Sequence, residues 1–174
     1  MLGSIDNRRP RTVTDTTPAA PRNIRWYWED FPVGNLREFG ATHVTREAIL
    51  AFASQFDPQP FHMNDAAAEA SLFGQLSASG WHTCAMSMRM MCDAYLLESS
   101  SLGSPGIDNL RWTRPVLVDD VLGVRMTVLE ARPMNSRPTV GLVLSKWEVL
   151  NQRHELVLAM QGWGMFGRRE PAST

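Results

Sequence analysis

The apolar positions of the chain follow two periods, and the change from one to the other divides it. Ile49, Phe52, Ala53 and Phe56 recur at i, i+3, i+4 and i+7, which predicts one buried helical face. Thr45 is placed to cap that helix, Glu47 favours its first turn, and Asp57 ahead of Pro58 should end it. Asn64 can cap a second, short helix through alanines 66 to 68, ending near Gly74. Ser79 and Gly80 open a longer helix to about Leu97. Its Cys84, Ala85, Met88, Met91, Ala94 and Tyr95, with few charges among them, predict burial on most sides.

Beyond it the period falls to two. Val124, Met126 and Val128 alternate with Arg125 and Thr127, as in a strand buried on one face. "IDNLRWTRPV", "DVLGVRMTVLEARP", "PTVGLVLSKWEVLN" and "ELVLAMQGWGMFG" are β-branched and aromatic runs, with turns at Asp119-Asp120, Asn135-Ser136 and Asn151-Gln152. "LREFGATHV" supplies one earlier strand, after a turn at Pro32 and Gly34. One strand, helices, then four antiparallel strands is an α+β order, with a long helix against a curved sheet.

Composition narrows the classes. The 174 residues suit one domain, here 24–170, behind a polar, proline-bearing tail at 1–23 that is expected to be flexible. A net charge of -1 with no block of like charge argues against nucleic-acid or membrane-surface binding. No apolar run is long enough for a bilayer span. Cys84 and Cys92 lie about 12 Å apart along one helix, too far for a disulfide, and predict reduced thiols in a cytoplasmic protein.

The chemistry gathers in "QFDPQPFHMNDAAAEASLFGQLSASGWH". Asp57 and His62 stand five positions apart across a loop stiffened by Pro58 and Pro60, which leaves little entropy to lose in holding them together. A carboxylate and an imidazole sharing one water can take a proton from it and orient it. The amides that open the helix at Gly80 attract negative charge developing on a carbonyl oxygen, and a glycine permits close approach. Such a set suits a reaction passing through an enolate. Taken singly, each residue also has a structural reading: Asp57 as a helix terminator, Ser79 as an N-cap, His82 as a packed histidine, and the methionines at 86, 88, 90 and 91 as core filling.

These residues resemble the hydratase motif of the MaoC-like (R)-specific enoyl-CoA hydratases and dehydratases, a hot-dog-fold family. "FASQFDPQPFHMNDAAAEASLFGQLSASGWH" carries the family's D-x-N/Q-P-x-H pattern, its alanine-rich turn and its glycine at the central helix. "GIDNLRWTRPVLVDDVL" and "VLNQRHELVLAMQGWGMF" are similar to later parts of it. The chain departs from it in carrying Gln59 where many members have asparagine, Asn64 where many have aspartate, and Met88 where some have a small polar residue. The resemblance implies a hot-dog fold with Asp57 and His62 catalytic. Gly80, Ser79, Trp81, Gln59 and Asn64 would serve the oxyanion and the substrate. It implies hydration or dehydration of an acyl thioester without metal or separate cofactor, coenzyme A or an acyl carrier being part of the substrate. It also implies a homodimer or higher oligomer. Thioester hydrolysis and non-catalytic acyl-thioester binding stay open as alternatives.

Overall fold

A computed structural model of the chain describes residues 23–170; the expected tail lies outside them except for Asn23. After a short 3-10 turn at Trp28–Asp30 comes strand β1 (Leu36–His43). Helices α1 (Arg46–Phe56), α2 (Pro60–Met63), α3 (Asp65–Glu69) and α4 (Gly80–Met91) follow, the last running into a π-helical turn at Cys92–Leu96. Strands β2 (Ser101–Trp112), β3 (Val121–Pro133), β4 (Val140–Leu150) and β5 (Leu156–Gly167) complete one antiparallel sheet in the order β1-β3-β4-β5-β2.

The expected local signals act as written. Thr45 Oγ1 accepts from Ala48 N, and Asn64 Oδ1 accepts from Ala67 N. Val124, Met126 and Val128 face the core of the sheet and are almost wholly buried. Helix α4 packs on β1 and β3, with Met86, Met90 and Met91 in the core and Tyr95 of the π turn edge-on to Phe31 and Phe39. This is the hot-dog arrangement that the resemblance implies. Among the described residues, no helix is long and apolar enough to cross a membrane, and Cys84 and Cys92 are free thiols.

Three expectations are corrected. β2 begins at Ser101, not at Ile107. It is an edge strand with residues of both alternating sets exposed, so burial imposes no period on it; Gly103, with φ +105°, and Pro105 interrupt its register. Phe56, assigned to the buried face of α1, is 69% exposed, because the helix stops at that residue and only its earlier turns meet the core. Helix α4 is not covered all round: Trp81, Ala85, Met88 and Arg89 form an open stripe.

The helix is seated on the sheet by one glycine. Gly40 lies at a bulge in β1 with φ +82°, and a Cβ there would overlap the side chain of Met90. Gly40→Ala should therefore lose about 1–3 kcal/mol through left-handed strain and overpacking. Chemical denaturation read by tryptophan fluorescence checks it; a midpoint equal to the wild type's would mean that this close approach carries no weight.

Candidate active site

Asp57 is the C-cap of α1, its N–H donating to Ala53 O at 2.9 Å. The proline-stiffened segment after it is part loop and part helix, the short helix α2 beginning at Pro60. Pro60 occupies the first position of α2, where its missing N–H costs nothing and its φ suits a helix. The tight turn carries His62 back under Asp57. His62 is 5% exposed, and its Nδ1 lies 2.8 Å from the carbonyl oxygen of Ser77. A carbonyl only accepts, so Nδ1 carries the proton of that bond and Nε2 is the ring nitrogen left to exchange one. Nε2 stands 3.6 Å from Asp57 Oδ2.

The carboxylate is held by two donors. Ser79 Oγ donates to Oδ2 at 2.6 Å, and Gln59 Nε2 donates to Oδ1 at 2.7 Å. The Ser79 hydroxyl first, then the Gln59 amide and the nearby His62 ring, keep the Asp57 carboxyl below the ordinary carboxylate range against the opposing effect of burial. Ser79 is thus more than the N-cap it was read as. It does cap α4, accepting from Trp81 N at 3.2 Å, and the same hydroxyl passes its proton side to Asp57. It reaches the site through Asp57 and is not among the residues lining the cavity.

Asp57 and His62 open on a cavity of about 420 Å³. Gln59, Gly80 and Trp81 line it, and Phe61, Phe73, Trp112 and Val116 give it an aromatic and apolar wall. Asn64 is not there: its side chain is spent on the N-cap of α3, and the residue is exposed. The titratable side chains lining the cavity are Asp57, His62 and Arg114, and of these the carboxylate and the imidazole are the groups with an acceptor atom for a proton. Arg111 is absent from the wall, whereas Arg114 lines it, 3.9 Å from Glu155. His82 is a packed residue, stacked on Phe52 at 4.7 Å and held below the ordinary histidine range by burial.

Sequence reasoning missed Trp112. It comes from the end of β2, 32 positions from Gly80, and donates its indole N–H to Gly80 O at 2.9 Å. No local pattern connects the two. At Gly80 a Cβ would fall 2.6 Å from the indole ring, so this position is glycine for a reason that involves the protein itself.

The chain is similar to known proteins in sequence and fold. The family model described as "MaoC like domain" covers residues 31–146, well over half of the chain. A MaoC-like dehydratase from Rhodospirillum rubrum, known from its crystal structure, is 39% identical with a TM-score of 0.78, over 84% of this chain and 99% of that one. The uncharacterized protein YdeM of Bacillus subtilis is 25% identical over 72% of this chain and 87% of its own length. R-hydratase PhaJ1 from Pseudomonas aeruginosa, without ligand, has 23% identity and a TM-score of 0.67 over 85% and 92% of the two chains, a likeness of fold alone. With its hot-dog fold and a family model that runs from ahead of β1 into β4, the chain belongs to the MaoC-like dehydratase family.

Proposed function

We propose that the protein adds water across, or removes it from, the α,β double bond of an enoyl-CoA-type acyl thioester. The observation that carries this reading is the Asp57–His62 pair facing the cavity beside the amide end of α4. Two acceptors 3.6 Å apart can both lie about 2.8 Å from one water oxygen. In hydration that oxygen bonds to Cβ while Asp57 takes the proton, and His62 Nε2 orients the water and shares the proton. The π electrons move toward the thioester carbonyl, whose oxygen becomes anionic. Among the described residues nothing accepts from the Gly80 N–H, which at the positive end of α4 is the donor for that charge. The proton taken from water then returns at Cα, restoring both the carbonyl and the pair. Dehydration runs the same steps backwards.

The test is a panel of crotonyl, longer enoyl, branched and 3-hydroxyacyl thioesters followed in both directions. Loss of enoyl absorbance without free thiol supports hydration. Thiol release would favour thioester hydrolysis, with water sent to the carbonyl carbon, and a melting shift without turnover would favour a binding protein. Asp57→Asn and His62→Ala should each lower kcat by a factor on the order of 10² to 10⁴. The double variant should lose much less than the product, because the two act on one water. Near-normal turnover by folded Asp57→Asn on every substrate accepted by the wild type would sink the mechanism.

Ser79→Ala tests the hydrogen bond beneath the base. Removing the largest stabiliser of the anion moves the Asp57 pKa upward. The acid limb of kcat/KM should therefore shift to higher pH, because the fraction ionised at a given mildly acidic pH falls. The stability that the depressed pKa contributes is present above the unfolded pKa and lost as pH falls through the folded one, so the variant should differ least from wild type in strong acid. A pH–rate profile superimposable on the wild type's would show that Ser79 does not tune Asp57.

We propose further that the protein works as a homodimer. β2 leaves twelve residues of edge strand open, with Leu102 and Ile107 exposed, and α4 exposes Trp81 and Met88. Light scattering should give twice the monomer mass at micromolar concentration; an active monomer would exclude it.

A further inference from the structure

We propose that Trp112 is a positioning residue for the reaction inferred above, on which this rests: its indole clamps the amide end of α4 in place against the Asp57–His62 pair. Two independent contacts carry the inference. The indole N–H donates to Gly80 O at 2.9 Å, and the ring lies so close over the Gly80 Cα that a single added methyl would meet Cε2 at 2.6 Å and Nε1 at 2.8 Å. Such a methyl has room only if the ring or the helix moves. The opposite side of the same turn is held by Ser79, whose hydroxyl bridges Trp81 N and Asp57. The first turn of α4 is thus fixed between the carboxylate and an indole from another element.

The indole is itself delivered by an anchored strand end. Trp112 pairs with Leu158 of β5, and the next residue, Thr113, donates its N–H to Val157 O at 3.0 Å and its hydroxyl to Leu156 O at 2.5 Å. A glycine at the start of a helix is a flexible point, and an amide aimed at developing charge is effective only if it does not have to reorganise. The clamp removes that freedom. Gly80 is then glycine because the ring must lie on it, not because a substrate oxygen must approach it.

The experiment is a cycle of Gly80→Ala and Trp112→Ala, with Trp112→Phe as the conservative variant, read by turnover of the best enoyl thioester and by Tm. Gly80→Ala should lower Tm by several degrees and kcat by about 100-fold or more, typical of a misplaced oxyanion donor. Trp112→Ala should lower kcat about 10- to 100-fold with KM within about threefold, since the clamp acts on transition-state charge and not on ground-state binding. Its acid limb, set by Asp57, should stay where the wild type's is. Trp112→Phe should recover part of the loss. In the double variant the methyl has room, so both Tm and kcat should rise above those of Gly80→Ala alone.

Losses that simply multiply in the double variant would mean that the methyl obstructs the substrate, and would overturn the proposal. A rise in KM at unchanged kcat for Trp112→Ala would make the indole a substrate contact and overturn it equally. A wild type inert on every thioester would overturn the functional reading and the positioning role with it, and the Tm cycle would still report whether the steric clamp exists.

Discussion

A carboxylate kept ionised in a half-closed cavity needs donors on its oxygens, and here the decisive donor is Ser79. Its 2.6 Å bond to Asp57 joins the C-cap of α1 to the N-cap of α4, two residues 22 positions apart. The same oxygen accepts from Trp81 N. One hydroxyl therefore ties the end of one helix to the start of the next and lowers the pKa of the carboxyl it meets. Gln59 occupies the remaining oxygen of the carboxylate. If either donor were turned away, the pKa of Asp57 would move upward. The small helices α2 and α3 make sense around this bond: they return the chain from Asp57 to Ser79 and bring His62 underneath in passing.

Much of this was legible because it is local. The cap at Thr45, the stop at Asp57, the cap at Asn64 and the alternation of Val124, Met126 and Val128 each depend on residues within a turn or a strand. The pairing of Asp57 with His62 was legible for the same reason, although the helical turn that begins at Pro60 and closes it was not read from the sequence. What was hidden has no local period. β2 is exposed along nearly all its length, so its first half carries no alternating pattern. Phe56 continues the apolar stripe of α1 past the point where the core ends. Trp112 meets Gly80 only because β2 lies against β5 at the far edge of the sheet.

The assignment of roles in the motif also changed where one side chain had two possible partners. Asn64 can reach either a backbone amide or a ligand, and the helix it caps takes it. Ser79 can be a cap or a donor to a carboxylate, and because a hydroxyl both accepts and donates it is both. Gln59 was expected near the substrate. It lines the cavity, but its amide nitrogen is committed to Asp57. Residue type and spacing identify candidates for a site; they do not say which of two available bonds a side chain makes.

The stabilised carboxylate raises a question of basicity. Donors that keep Asp57 ionised also weaken it as a base, so it cannot remove a proton from free water to any extent. It can do so when the proton leaves as the oxygen bonds to Cβ, because the acidity of that water rises along the reaction. The charge released must then be received at the carbonyl oxygen, at the amide end of α4. The low basicity of Asp57 and the rigid placement of Gly80 are thus two parts of one arrangement: the weaker the base, the more the reaction depends on the far end of the electron shift being held ready. Ser79 acts on the first and begins the helix that provides the second, which is why a hydroxyl at this position, between a C-cap aspartate and an N-terminal glycine, ties the chemistry of the site to its fold.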